Sequence, residues 1–263
     1  MENDVNEIGY LKTWMYRVQG EWFALIVSIL LILGVGYIFS TIDWILFLLI
    51  IIGAIIYVRL NQVQYIGNAI RVHHKQFPEL YDTFTKYAKG LGISKAALYI
   101  KQDPYLQAYT LGLTSCTLVL TSGLVEQLNE KELNFVVGHE LGHYAAGHTK
   151  ISTIVIPVGS NNIISSLIFG FWNRKCELTS DRCGLALTRD VDNTISALIK
   201  LAIGKKLYEK LDLGGYVAQI KASDTTMVKL SELLGSHPLI TNRIRLLLVY
   251  WRENFATINV AQK

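Results

Sequence analysis

The sequence predicts a mainly α-helical chain with a small β-sheet, an α+β domain preceded by a transmembrane helical hairpin. Three observations predict it. The stretch from Trp22 to Tyr57 is almost unbroken apolar sequence. Between residues 97 and 121 lie three short segments rich in β-branched and aromatic residues, ALYIK, QAYTLG and CTLVLT. From Ser122 to the end, apolar residues recur at helical spacing. The organisation that follows is an N-terminal segment 1–21, a two-helix hairpin 22–58, and a domain 59–263 with an apolar insertion at 151–172.

The hairpin rests on composition and length. The chain is 51% hydrophobic and only 17% charged, with a mean hydropathy of +0.31. Soluble domains carry about a quarter charged residues, so part of this chain does not meet water. Phe23–Phe39 and Trp44–Val58 flank the single interruption Ser40-Thr41-Ile42-Asp43. As helices they span about 23–26 Å, and flanking residues nearly close the gap to a ~30 Å hydrocarbon core. Trp22, Tyr37, Trp44 and Tyr57 stand near the ends, where amphipathic rings prefer the interface. A signal peptide is excluded, because the first run follows twenty mostly polar residues and a second run follows at once. A soluble helical hairpin is disfavoured, since helices apolar on every face are rare in so small a domain.

Charge sets the orientation. The loop between the runs has no Lys or Arg, whereas Lys12 and Arg17 precede them and Arg59, Arg71 and Lys75 follow. The positive-inside rule therefore expects a multi-pass protein of the plasma membrane with everything from residue 59 on the cytoplasmic side. The lipid bilayer is thus one expected partner. Nucleic acid is not, because the net charge is only +4 and no basic run is present. The odd number of cysteines, Cys116, Cys176 and Cys183, reads as free thiols in a reducing compartment rather than a disulfide framework.

Within the domain, residues 60 to about 90 read as helix, with Pro78 opening a second segment that Gly90 and Gly92 end. Three strands follow between 97 and 121. Asn129 and Glu132 have capping-box spacing, and Leu133, Val136, Val137 and Leu141 repeat on one helical face, which predicts a helix over 130–148.

That helix carries His139-Glu140-Leu141-Gly142-His143. Histidines four apart present both imidazoles on one face, one turn apart, which suits two neighbouring positions on a tetrahedral Zn²⁺. Glu140 is rotated away from the metal and can act on a water, taking its proton and passing it to a leaving amine. Gly142 leaves room for substrate or for a close helix neighbour. The pentapeptide alone also fits a solvated polar face. A third ligand is needed. His148 is out of step with the second-histidine pattern of metzincins and points roughly 140° around a continuous helix from His143, as a surface residue or one behind the site. Glu177 and Asp181 are again four apart. One carboxylate can bind the metal while the other accepts from the free ring N–H of a ligand histidine. The spacing equally allows an exposed acidic face paired with Arg174, Lys175 or Arg182. Cys176 or Cys183 as ligand is disfavoured, since thiolate-rich zinc sites tend to be structural.

GHELGH, the downstream ELTSDRCG and SHPLITNRIRLL resemble, in that order, the HtpX-like family of membrane zinc metallopeptidases. These are gluzincins related to CAAX prenyl proteases and Oma-type proteases, and the likeness runs from about residue 60 to 250. The resemblance implies a zincin-like fold, one Zn²⁺ per chain held by His139, His143 and Glu177, and Asp181 as the carboxylate behind a ligand. It implies Glu140 as general base and His237 as a catalytic donor to the developing oxyanion. Arg243 is implied to pair with a nearby carboxylate. Gln107, Ala108, Tyr109 and Thr110 resemble the strand beside the family's cleft, which pairs with an extended protein or peptide substrate. Where Gln107 stands the family usually has Asn.

One departure concerns the membrane. The family commonly has two further crossings between the zinc helix and the glutamate ligand, whereas Ile151–Trp172 is too short for two and carries Pro157, Gly159, Asn161 and Asn162 at its centre. A single crossing would separate Glu177 from both histidines. The expected solution is an apolar hairpin beside the cleft that dips into the bilayer surface. The function expected is a membrane-anchored zinc endopeptidase, in quality control or processing of membrane proteins. The competing reading is an inactive zinc-binding adaptor of the same fold; a transporter is disfavoured because two helices make no pathway.

Overall fold

The computed structural model of the chain describes residues 11–40, 67–155, 163–222 and 237–255, with single positions between 45 and 63 and at 225 and 232. In chain order the described elements are α1 (Glu21–Ser40), β1 (Ala69–Arg71), α2 (Pro78–Gly90), β2 (Ala96–Lys101), β3 (Ala108–Leu111), β4 (Cys116–Thr121) and α3 (Ser122–Gln127). Then come α4 (Glu130–Ala145), α5 (His148–Val155), α6 (Ile163–Thr188), α7 (Val191–Ile203), α8 (Lys205–Tyr208), α9 (Leu213–Ala222) and α10 (Ile240–Asn254). The molecule is mainly helical with one small mixed sheet, as the sequence predicts.

The sheet has four strands in the order β1-β2-β4-β3, where the sequence predicts about three. β2 and β4 run parallel, while β1 and β3 pair antiparallel at the two edges. The extra strand corrects part of the helix expected over 60–90. Ala69–Arg71 pairs with Tyr99–Lys101, and Val72, buried, donates its N–H to Leu98 at 2.8 Å. Three residues of edge strand have no pattern of their own; pairing with β2 decides their conformation. Pro78 does open α2, in its first turn.

α4 is the central helix. Its capping box forms in both directions, with Glu132 N–H bonded to Asn129 and Asn129 N–H bonded to Glu132. The Glu132 carboxylate goes on to pair with Lys200 at 2.7 Å and to accept from Ser196, so a buried polar cluster pins α4 to α7. Leu133, Phe135, Val136, Val137 and Leu141 enter the main core. Against α6 the approach is backbone-close: a Cβ at Gly142 would lie 2.7 Å from Cys183 Cβ, and one at Gly138 would lie 3.1 Å from Gly184 Cα. Gly142 thus makes room for a helix neighbour. The helix expected over 130–148 is divided. It ends at Ala145, Gly147 takes φ +87°, and α5 starts afresh at His148.

α1 is long and apolar enough to cross a membrane, with a mean hydropathy of 2.2 over Glu21–Ile38 and 22% of that window buried. Its buried side, Ala24 and Leu25, packs on Phe169, Trp172 and Cys176 of α6, and Ser28 donates to the Ile168 carbonyl at 2.8 Å. The rest of its surface exposes Trp22, Phe23, Ile26, Leu30, Leu33 and Ile38. The second apolar run, Trp44–Val58, lies largely outside the described residues; the positions described there, such as Ile45, Leu49 and Ile56, are helical and exposed. The centre of the 151–172 insertion, residues 156–162, also lies outside them.

Candidate active site

α4 and α6 bring three potential ligands together. Nε2 of His139 and Nε2 of His143 are 3.2 Å apart. Glu177, from α6, sets Oε2 at 3.7 Å from the first and Oε1 at 3.5 Å from the second. A tetrahedral zinc ion with ~2.0–2.1 Å bonds has ligand–ligand edges of about 3.3 Å, so these separations fit its outline. Two imidazoles and a carboxylate are also the donor set of catalytic zinc sites that keep a fourth position open. Neither Cys176 nor Cys183 joins this group: Cys183 packs behind Gly142, and Cys176 lies among apolar residues against α1.

The histidines are held from behind. Nδ1 of His139 lies 2.9 Å from Oδ1 of Asp181, which is wholly buried. Arg243 donates to both Asp181 oxygens, at 2.8 and 2.6 Å, and lies 3.6 Å from Glu177. Burial alone would push the Asp181 carboxyl up; Arg243 first and then His139 outweigh it and hold it below its usual value. At Glu177 burial is likewise outweighed, by His143, His237 and Arg243, and the carboxyl sits well below the ordinary range. For His143, burial opposes the charged form, but Glu177 and then Glu140 and Asp181 raise it.

His148 is not on the surface. It is 3% exposed, with Nδ1 at 3.2 Å from Nδ1 of His143 and Nε2 at 3.1 Å from Glu21. The angle projected along a continuous helix fails because Gly147 resets the chain direction. Burial, the largest cause, pushes the His148 imidazole down to about 4 against the pull of Glu21.

Glu140 stands apart from the three ligands. Its carboxylate accepts from Thr110 Oγ1 at 2.9 Å, which joins the edge strand β3 to the site. Clefts of about 530 and 270 Å³ flank the group. Ala108, Tyr109, Glu140, Glu177 and His237 line both, Gln107 lines the first and Thr110 the second. His237 is largely exposed, with Nδ1 at 3.5 Å from Glu177 Oε1, and that carboxylate raises its pKa. His139, His143, Glu177, Glu140, His237 and the β3 residues expected at the site therefore line these two clefts, while Asp181 lies buried behind His139. Sequence reasoning missed the Thr110 hydroxyl and Glu21, and left open whether His148 lies on the surface or behind the site, where the structure puts it. A glycine just before His148 was the available signal that the helical phase would break there.

The sequence profile of Peptidase family M48 matches this chain over residues 74–169 and 158–250. Among curated proteins, it is 29% identical over 173 residues to the plastoglobule-localized metallopeptidase 48 of Arabidopsis thaliana, covering 60% of this chain and 50% of that one. It is 28% identical over 143 residues to a protease HtpX homologue of Lactobacillus helveticus, covering 51% and 48%. To a protease HtpX homologue of Streptococcus pyogenes it is 24% identical over 251 residues, covering 76% and 84%. The chain thus spans about half the length of the first two of these relatives.

Proposed function

The chain belongs to peptidase family M48, and on that premise we propose that it is a membrane-anchored, zinc-dependent endopeptidase acting on proteins in or beside the membrane, in quality control or processing. The observation that supports this reading is that His139, His143 and Glu177 offer ligand atoms at separations close to the edge lengths of a zinc tetrahedron, with Glu140 lining the same cleft. When bound, zinc supplies Lewis acidity, which acidifies water and polarises a carbonyl. Glu140 takes the proton from the attacking water and delivers it to the leaving amine. The Thr110 hydroxyl holds the Glu140 carboxylate at 2.9 Å for that transfer. His237, exposed at the cleft, donates to the oxyanion that develops on the substrate carbonyl. Asp181, held by Arg243, keeps Nδ1 of His139 protonated so that its Nε2 lone pair faces the metal.

Substrate lies along β3. Among the described residues this strand pairs only with β4, so its other edge can add an extended peptide by main-chain hydrogen bonds over Ala108–Leu111. The exposed apolar surface of α1 supports a membrane anchor. The antiparallel run of α6 beside α1, from Thr179 against Glu21 to Ile168 against Ser28, supports an insertion that enters the bilayer from the domain's side and returns. Cysteines placed at 160–163 should label from the cytoplasmic face; labelling only from outside would rule that topology out.

The test of the chemistry is Glu140→Gln. It should retain zinc at the wild-type level and lose casein hydrolysis by about 10²–10⁴-fold. Hydrolysis surviving in that variant would refute the mechanism.

A further inference from the structure

The two histidines are not held alike. His139 turns Nδ1 directly on a carboxylate, whereas His143 turns Nδ1 on a second imidazole, that of His148, at 3.2 Å. The far nitrogen of His148 lies 3.1 Å from Oε1 of Glu21, the first residue of α1. Glu21 is fixed in turn by an ion pair with Arg17 and by Thr179, whose hydroxyl donates to Oε2 at 2.5 Å. Arg17 also donates to the Ala146 carbonyl at 2.6 Å, closing the network onto the end of α4. Glu21, His148 and Thr179 are 2%, 3% and 0% exposed, so this part of the network is shielded from bulk solvent.

With both imidazoles neutral, one arrangement of hydrogens satisfies the whole chain of contacts. A carboxylate paired with Arg17 only accepts, so Nε2 of His148 carries the hydrogen. Nδ1 of His148 then accepts, and His143 donates to it from Nδ1. That leaves the lone pair of His143 on Nε2, the atom facing His139 and Glu177. With the contacts reversed, Nε2 of His143 would carry a hydrogen and could not bind a metal.

We infer that Glu21 and His148 are positioning residues, a buried relay that fixes the metal-ready tautomer of His143 and ties the metal site to the first turn of the membrane helix. The inference rests on the zinc peptidase reading above. Glu21, His148 and Cys176 also lie within 4.8 Å of one another, as ligands of a second metal would. Against that stand the Arg17 cation on Glu21 and the packing of Cys176 in a hydrophobic cluster with Ala24, Leu25, Phe169 and Trp172.

The experiment measures zinc affinity of the full detergent-solubilised chain by competition with a chromophoric chelator, together with the visible spectrum of the Co²⁺-substituted protein. His148→Ala should bind zinc about 10–100-fold more weakly and shift the Co²⁺ bands, as loss of a partner behind a metal ligand does. His148→Asn keeps a side-chain oxygen near the former Nδ1 and should restore most of the affinity. Glu21→Ala should weaken zinc in the wild-type background and have no further effect beside His148→Asn, because the relay is already cut. Unchanged zinc affinity in His148→Ala, with only a loss of thermal stability in the metal-free protein, would overturn the inference and leave the peptidase reading intact. So would His148→Asn binding as weakly as His148→Ala, or two zinc ions per wild-type chain with one lost in Cys176→Ser. A wild-type chain that binds no zinc would overturn both.

Discussion

Replacing Gly142 by alanine puts a methyl group at the closest approach of α4 and α6. Its Cβ would lie 2.7 Å from Cys183 Cβ and 3.0 Å from Cys183 Sγ, where ordinary contact begins at 3.4 Å. Cys183 can rotate its sulfur away but not its Cβ, so the two helices must part by roughly 0.7 Å. Such overpacking costs about 2 kcal/mol. Alanine recovers about 1 kcal/mol through its better helix propensity, which leaves a net loss of about 1 kcal/mol. In a domain of this size that lowers Tm by about 2–4 °C. The effect on the metal is larger, because α4 carries His139 and His143 while α6 carries Glu177. Ligand distances at such a site hold to about 0.2 Å, well under the displacement required. Zinc affinity, measured by chelator competition, should fall by at least about tenfold. Cys183→Gly in the same chain removes the opposing Cβ and should recover the affinity. A Gly142→Ala protein with wild-type zinc affinity and a Tm raised by a few degrees, as helix propensity alone would give, would refute the packing argument.

Other perturbations reach the Asp181 carboxylate behind His139 and the buried polar cluster between α4 and α7. Asp181→Asn removes the charge that Arg243 and His139 share and should weaken zinc binding by about 10–100-fold in the same competition assay. Lys200→Met leaves Glu132 buried with its cation gone and should cost about 3–5 kcal/mol in chemical denaturation. Glu132→Gln added to it should return much of that loss. The Asp181 carboxyl is depressed in the folded protein, so its contribution to stability is full above the ordinary carboxylate range, about pH 4, and is lost as pH falls below that through the folded value. Thermal melts from pH 6 to 3 should show this decline in the wild type and a flatter acid limb in Asp181→Asn.

How much of the molecule the sequence reveals depends on how local each cause is. The start of α4 is legible because Asn129 and Glu132 satisfy one another within a single turn. The histidine pair is legible because a four-residue spacing on a helix is itself a geometry. Glu177 and Asp181 are legible as a pair yet ambiguous as to role, since only the packing of α6 on α4 through Gly138, Gly142 and Gly184 turns them inward. β1 is hidden because its three residues owe their conformation to β2, which lies beyond α2 in the chain. His148 is hidden because Gly147 breaks the helical phase. Glu21 is hidden for a different reason: a charged residue at the edge of an apolar run reads as a membrane boundary, and its partner lies 127 residues away.

On the proposed function, His139, His143 and Glu177 hold one zinc ion on which peptide hydrolysis depends. The most direct measurement counts bound zinc in the purified chain and follows casein cleavage through removal of the metal by a chelator and its return. Close to one zinc per chain is expected, with activity lost with the metal and restored as zinc is added back to one equivalent. Cleavage that persists in the zinc-free chain would contradict it.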